Sequence, residues 1–182
     1  MPAIEYNINY INFTHPREQK ACRPWTVTCK YKMATIYLTT FIEAPVQTCF
    51  DLARNIEAHQ LSASRTKEKA IAGRTSGLCE EGDVITWQAN HFGFKQKLTV
   101  KVTKMEPFVY FEDKMIKGVF SSMKHKHSFE ALKKGTNMAD EFTFKAPLGI
   151  FGSIVEKLFL KRYITKFLKK RNRILKSLAE AM

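Results

Sequence analysis

TKEKAIAGRTSGLCEEGDVITWQANHFGFKQKLTVKVTKMEPFVYFEDKMIKGVFSSMKHKHSFEALKKGTNMADEFTFK, the stretch from Thr66 to Lys145, decides the fold. Its turn signals are Glu81-Gly82-Asp83, Phe92-Gly93, Glu106-Pro107, Lys117-Gly118 and Lys134-Gly135, which recur about every dozen residues, the spacing of an antiparallel meander. Six strands are expected between them. Side-chain alternation names the buried face. Ile85, Trp87 and Ala89 point inward on one strand, and Phe94, Leu98, Val100 and Val102 on the next, with Lys95, Lys97, Thr99 and Lys101 outward. The following three strands bury Phe111 and Met115, then Met123 and Phe129, then Met138, Phe142 and Phe144. A single antiparallel sheet of this length must cover its apolar face, and the one element long enough is the helical pattern from about Phe151 to Ala179. The expectation is an α+β fold, a curved sheet gripping the C-terminal helix with a cavity between them.

Upstream, Ile36, Leu38 and Ile42 alternate with Thr35, Tyr37 and Thr39, so Thr35–Ile42 supplies a seventh strand. Ala44-Pro45 stops it, with the proline placed for a first helical turn. Val46, Cys49, Phe50 and Ala53 recur at i, i+3, i+4 and i+7, one apolar helical stripe that makes Cys49 a core thiol. A second, shorter helix covers Glu57 to Ala63. Residues 1–32 show no sustained period and carry His15-Pro16 and Arg23-Pro24, so they read as an unstructured extension of a domain spanning 33–182.

At 182 residues, 45% hydrophobic and 12% aromatic, the chain has the means to bury a substantial core. No apolar run approaches the length of a membrane span and no secretory signal is evident, which leaves the cytoplasm as the expected location. Cys22, Cys29, Cys49 and Cys79 lack zinc-pair spacing and are too sparse for a disulfide scaffold, so free thiols are expected. The net charge of +13 is concentrated at the end: the last 33 residues carry 9 basic and 2 acidic groups. Lys161, Arg162, Lys166, Lys169, Lys170, Arg171 and Arg173 crowd the sides of the final helix away from its apolar stripe. They read as a solvated face, or as a surface meeting an anionic membrane or a ribosome. No aromatic-rich RNA motif interleaves them, and no DNA partner is expected.

The alternation also puts polar residues on the buried face. Gln96 shares the side of Leu98, Asp113 lies between Phe111 and Met115, His125 and His127 between Met123 and Phe129, and Asp140 between Met138 and Phe142. Glu68 joins them through Ala70 and Ala72. Each unpaired buried polar group costs on the order of 1–3 kcal/mol, so such a set must pair internally, meet water or serve a ligand. Satisfied core pairs, a ligand pocket, a facial metal triad of His125, His127 and Asp140, and an acid/base dyad of His125 with Asp113 or Asp140 all remain open. The phosphate-loop, dinucleotide and nucleophile-elbow motifs are absent.

Taken together, Ile42-Glu43-Ala44-Pro45, Gly82-Asp83-Val84-Ile85-Thr86-Trp87, His91-Phe92-Gly93, His125-Lys126-His127-Ser128-Phe129 and Ala146-Pro147-Leu148-Gly149 resemble the START-like, helix-grip superfamily (SRPBCC) of polyketide cyclase and lipid-transfer proteins. The likeness covers about residues 34–180 and implies an apolar pocket under the last helix holding a lipid-like, quinone-like or polycyclic molecule. Trp87, Phe111, Met115, Met123 and Phe142, with Phe151 and Val155 at the mouth, are expected to surround the ligand. Glu68, Gln96, Asp113, His125, His127 and Asp140 are expected to meet its polar end. A carrier or sensor without cofactor or metal is the primary expectation, and a cyclase or dehydrase using His125, His127 or Asp140 the alternative. Met33 opens the first clear strand, and translation is expected to start there; the intact mass of the native protein tests this, and a product beginning at Met1 overturns it.

Overall fold

The protein, seen in a computed structural model, is described for residues 33–146 and 159–182. The expectations for residues 1–32, including Cys22, Cys29 and the start at Met33, and for Phe151 and Val155 lie outside the described residues. Strand β1 (Ala34–Ile42) leads into α1 (Val46–Arg54) and α2 (Ile56–Ser62). Then come β2 (Lys69–Gly73), β3 (Val84–His91), β4 (Phe94–Glu106), β5 (Tyr110–Lys117), β6 (Ser122–Leu132) and β7 (Gly135–Lys145), followed by α3 (Lys161–Glu180). The seven strands form one antiparallel sheet in the order β1-β7-β6-β5-β4-β3-β2, so the meander closes by bringing β1 beside β7. Seven strands, two short helices after the first strand and a long terminal helix are what the sequence predicts.

Local chemistry accounts for the element ends. Cys49 N donates to Pro45 O at 3.1 Å, which makes the proline the residue just before α1 rather than part of its first turn. Asn55 caps α2 by accepting from Ala58 N at 2.7 Å. The β3–β4 hairpin turns on Phe92 (φ 54°) and Gly93 (φ 82°), the pair of positive φ values that a two-residue type I′ turn needs. Phe94, read as inward, is instead 72% exposed. It is the first residue of β4, paired with His91 at the tip of the hairpin.

Helix α3 lies across the concave face through Ile164, Leu168, Leu175 and Ala179. Two apolar clusters result. One gathers Ile36, Ile85, Trp87, Val100, Met123, Phe142, Phe144, Ile164 and Leu168. The other gathers Ile42, Cys49, Phe50, Phe111, Phe129, Met138 and Ala179, with Phe50 edge-on to Phe111 and Phe129. Along β6, β7 and α3 the residues between the two clusters are polar: His125 and His127, Asp140, and Arg171 and Asn172. Phe50 is 1% exposed, so Phe50→Ala is expected to lower the unfolding free energy by about 3–5 kcal/mol in urea titration.

Candidate functional site

A cavity of about 340 Å³ opens among β3, β4, α2 and α3. Its walls are mainly apolar: Ile85, Trp87, Leu98, Val100, Val102, Phe120, Met123, Phe142, Leu160, Ile164, Phe167 and Leu168. Its floor is the polar belt. Glu68, Gln96, Asp113, His125 and His127 line it, and so do His59, His91 and Arg171. Of the expected site residues, Trp87, Phe111, Met123 and Phe142 also face the cavity. Met115 packs half-buried against the first apolar cluster instead. Asp140 stands behind the histidines, away from the lining.

Register builds this floor. Asp113 pairs with His125 across β5 and β6, and His127 with Asp140 across β6 and β7, which converges four polar side chains on one face. Asp140 Oδ1 lies 2.9 Å from His125 Nε2 and 2.8 Å from His127 Nδ1, but only the first contact has hydrogen-bond alignment. Asp140 Oδ2 accepts from Asn172 Nδ2 at 2.6 Å, and the same nitrogen reaches Thr40 Oγ1 at 3.2 Å. Burial alone would favour the neutral acid, yet the two adjacent imidazoles outweigh it and hold the Asp140 carboxyl well below its ordinary range. Burial, aided by His127, pushes the His125 imidazole down to about 3 in spite of Asp140, so His125 is neutral at physiological pH.

A second chain of contacts crosses the other side of the floor. Arg171 Nη2 donates to His59 Nδ1 at 3.1 Å. Guanidinium cannot accept, so that nitrogen carries no proton, and His59 Nε2–H donates to Glu68 Oε1 at 3.1 Å. Burial and the Arg171 charge both lower the His59 imidazole pKa, consistent with this neutral tautomer. Glu68 is held below its usual value because His59 and Arg171 overcome the effect of burial. The His59 ring stacks on Trp87, with centroids 3.9 Å apart and planes at 15°. Two atoms of this chain of contacts are left over: Glu68 Oε2 and Arg171 Nε are buried without a hydrogen-bond partner among the described residues. At the rim, His91 Nδ1 and Tyr163 Oη are 2.7 Å apart.

Arg171 corrects the sequence reading. Placed with the outward cations, it is 6% exposed and reaches into the cavity, while Lys161, Arg162, Lys166, Lys169, Lys170 and Arg173 are exposed as expected. A metal or cofactor could be approached by Asp113, His125 and His127, which offer ligand atoms within 4.8 Å of one another. In the expected triad, Asp140 stood where Asp113 now stands.

Solved structures share this architecture. A START superfamily protein from Mycobacterium smegmatis is 14% identical and aligns over 81% of this chain and 97% of its own, with a TM-score of 0.63. Major latex-like protein 151 from Panax ginseng is 10% identical over 81% and 97%, with a TM-score of 0.60. The di-domain ARO/CYC StfQ from the steffimycin biosynthetic pathway is 13% identical over 83% of this chain and 52% of its own, with a TM-score of 0.65. The chain has the START-like, helix-grip fold. No protein-family model and no curated protein matches it.

Within this helix-grip fold, sequence reasoning missed His59, His91, Tyr163, Arg171 and Asn172 as floor and rim residues. A signal existed for His59, which sits three positions after Ile56 and hence on the same helical face. Among the described residues no helix is long and apolar enough to cross a membrane.

Asp113, half-buried because it faces the cavity, has its carboxyl pushed up to about 6 by burial against the opposing pull of His127 and Arg171. Below the unfolded value near 3.8 both states hold the proton and nothing is gained or lost; above about 6 the native state bears the cost of ionising a desolvated acid. Asp113→Asn removes that cost. In chelator-treated protein the variant is expected to be more stable at pH 7, by about 1–3 kcal/mol, with a gain that shrinks as pH falls through 6 towards 4 in urea titrations.

Proposed function

We propose that the cavity binds one small, largely apolar molecule, lipid-like, quinone-like or polycyclic, with its polar end on the floor. The observation that carries this reading is an apolar space of about 340 Å³, within the roughly 300–1,000 Å³ of small-molecule sites, whose floor includes Glu68 Oε2 and Arg171 Nε, two of the three buried polar atoms left without a hydrogen-bond partner among the described residues. Glu68 Oε2 accepts and Arg171 Nε donates. A ligand end presenting a donor and an acceptor relieves a desolvation cost of about 1–3 kcal/mol at each atom. Apolar walls supply affinity at roughly 25 cal/mol per Å² covered. The shared architecture with a START superfamily protein and an ARO/CYC protein supports a ligand-holding cavity without naming the molecule.

One observation favours a second reading at the same floor. Asp113 titrates near 6 beside His127, a placement that suits proton transfer in a cyclisation or dehydration. His125, pushed to about 3 and bonded to Asp140, is a poor base at neutral pH.

Native mass spectrometry of protein purified from its own host is expected to show a co-purified apolar molecule. Leu98→Trp, which projects into the cavity, should release it while far-UV circular dichroism stays unchanged; retention of the molecule by that variant overturns the cavity as its site. With the molecule in hand, loss of turnover without loss of binding in His127→Gln supports catalysis, and loss of binding alone supports a carrier.

A further inference from the structure

We propose that Asp113, His125 and His127 form a site for a divalent transition metal of the zinc class at the floor of the cavity. This goes beyond the ligand reading and does not depend on it.

Geometry is the first support. Strand alternation sets His125 and His127 on one face of β6, and the β5–β6 register sets Asp113 opposite His125. One ligand atom from each lies within 4.8 Å of the others. Donors on a tetrahedral zinc with bonds of about 2.0–2.1 Å are about 3.4 Å apart, so side-chain rotations close the difference.

Tautomer control is the second. An ionised carboxylate only accepts, so His125 Nε2, hydrogen-bonded to Asp140 at 2.9 Å, carries the proton, while His127 Nδ1 lies 2.8 Å from the same oxygen without hydrogen-bond alignment. His125 Nδ1 is left with a free lone pair, and neither it nor His127 Nε2 has a hydrogen-bond partner among the described residues. Metal-binding histidines characteristically present this arrangement, with the remote N–H held by a carboxylate that is itself fixed. Here Asn172 fixes it, which also explains why Asp140 is no ligand: both its oxygens are occupied.

Charge is the third. Glu68 and Asp113 on the floor and Asp140 behind the histidines are three carboxyl groups beside a single lining guanidinium from α3, Arg171, and His59 is neutral by its hydrogen bonds. Arg54 also borders the cavity but is engaged by Asp51 and Glu80, and Lys97 is exposed. A dication bound between Asp113 and the histidines supplies the positive charge that the buried set lacks. Two nitrogens and one oxygen are a donor set suited to zinc, cobalt and related ions.

Cobalt(II) added to chelator-stripped full-length protein tests this. The expected result is one equivalent bound, with the visible absorption of a low-symmetry histidine and carboxylate site, competed away by zinc. Asp113→Asn and His127→Gln should abolish the spectrum, Asp140→Asn should weaken binding about 10–100-fold, and Glu130→Gln, at the exposed end of β6, should leave it unchanged. In the unsubstituted cobalt form, proton NMR should show two strongly shifted imidazole N–H signals, a readout that requires no variant to fold. Absence of binding, retention of the spectrum in Asp113→Asn, fewer than two shifted imidazoles, or a sulfur-to-cobalt charge-transfer band pointing to the cysteines would each overturn the proposal.

Discussion

Asp140 is the constraint on which the interior depends. A carboxylate 2% exposed is tolerable only with its partners in place, and those partners come from three elements: His125 and His127 on β6, Asn172 on α3 and, through Asn172, Thr40 on β1. The helix is thereby registered against the sheet by a polar contact at its middle. Apolar stripes alone would permit it to slide, because oily surfaces resist translation weakly, whereas displacing Asn172 leaves a buried charge under-satisfied.

The same interaction divides the core. Met123, Phe142 and Leu168 lie on one side of the belt, and Phe129, Met138 and Ala179 on the other. The second side is filled by aromatic edge contacts around Phe50, while the first remains hollow under α3. The cavity opens mainly on the side where Trp87, Val100 and Phe142 stand, with Phe111 of the second cluster at its edge, and the belt forms its floor. Arg171 and Asn172, neighbours in sequence, split the tasks: one reaches towards the open side, the other towards Asp140.

Much of this was legible in the chain. Alternation along β6 and β7 placed His125, His127 and Asp140 inside, because each strand buries a single face and parity carries that information residue by residue. The β4–β5 pairing is bulged between Thr99 and Val100 and between Val102 and Lys104, yet Val100 and Val102 stay inward. Two kinds of information were not in the pattern. Local period assigns a face but no neighbour across the fold, so it left open whether Asp113 or Asp140 stands beside His125; the register sets Asp113 opposite His125 and Asp140 opposite His127. Composition misled at Arg171, since a run of cations suggests a solvated surface; the helix turns about 100° per residue, and that arginine falls beside Asn172 and Leu168 on the buried side. Phe94 failed for a different reason: it shares the parity of Leu98 and Val100, but at the hairpin tip its side chain stays exposed.

Cys79 also lines the hollow, next to Arg54 and Ile56. Burial pushes its thiol up to about 11, so almost none of it is thiolate at neutral pH. The interior wall is consequently a weak nucleophile. A thiol so little ionised adds only slowly to an electrophile that reaches it, so this part of the wall acts as apolar surface more than as a reactive group.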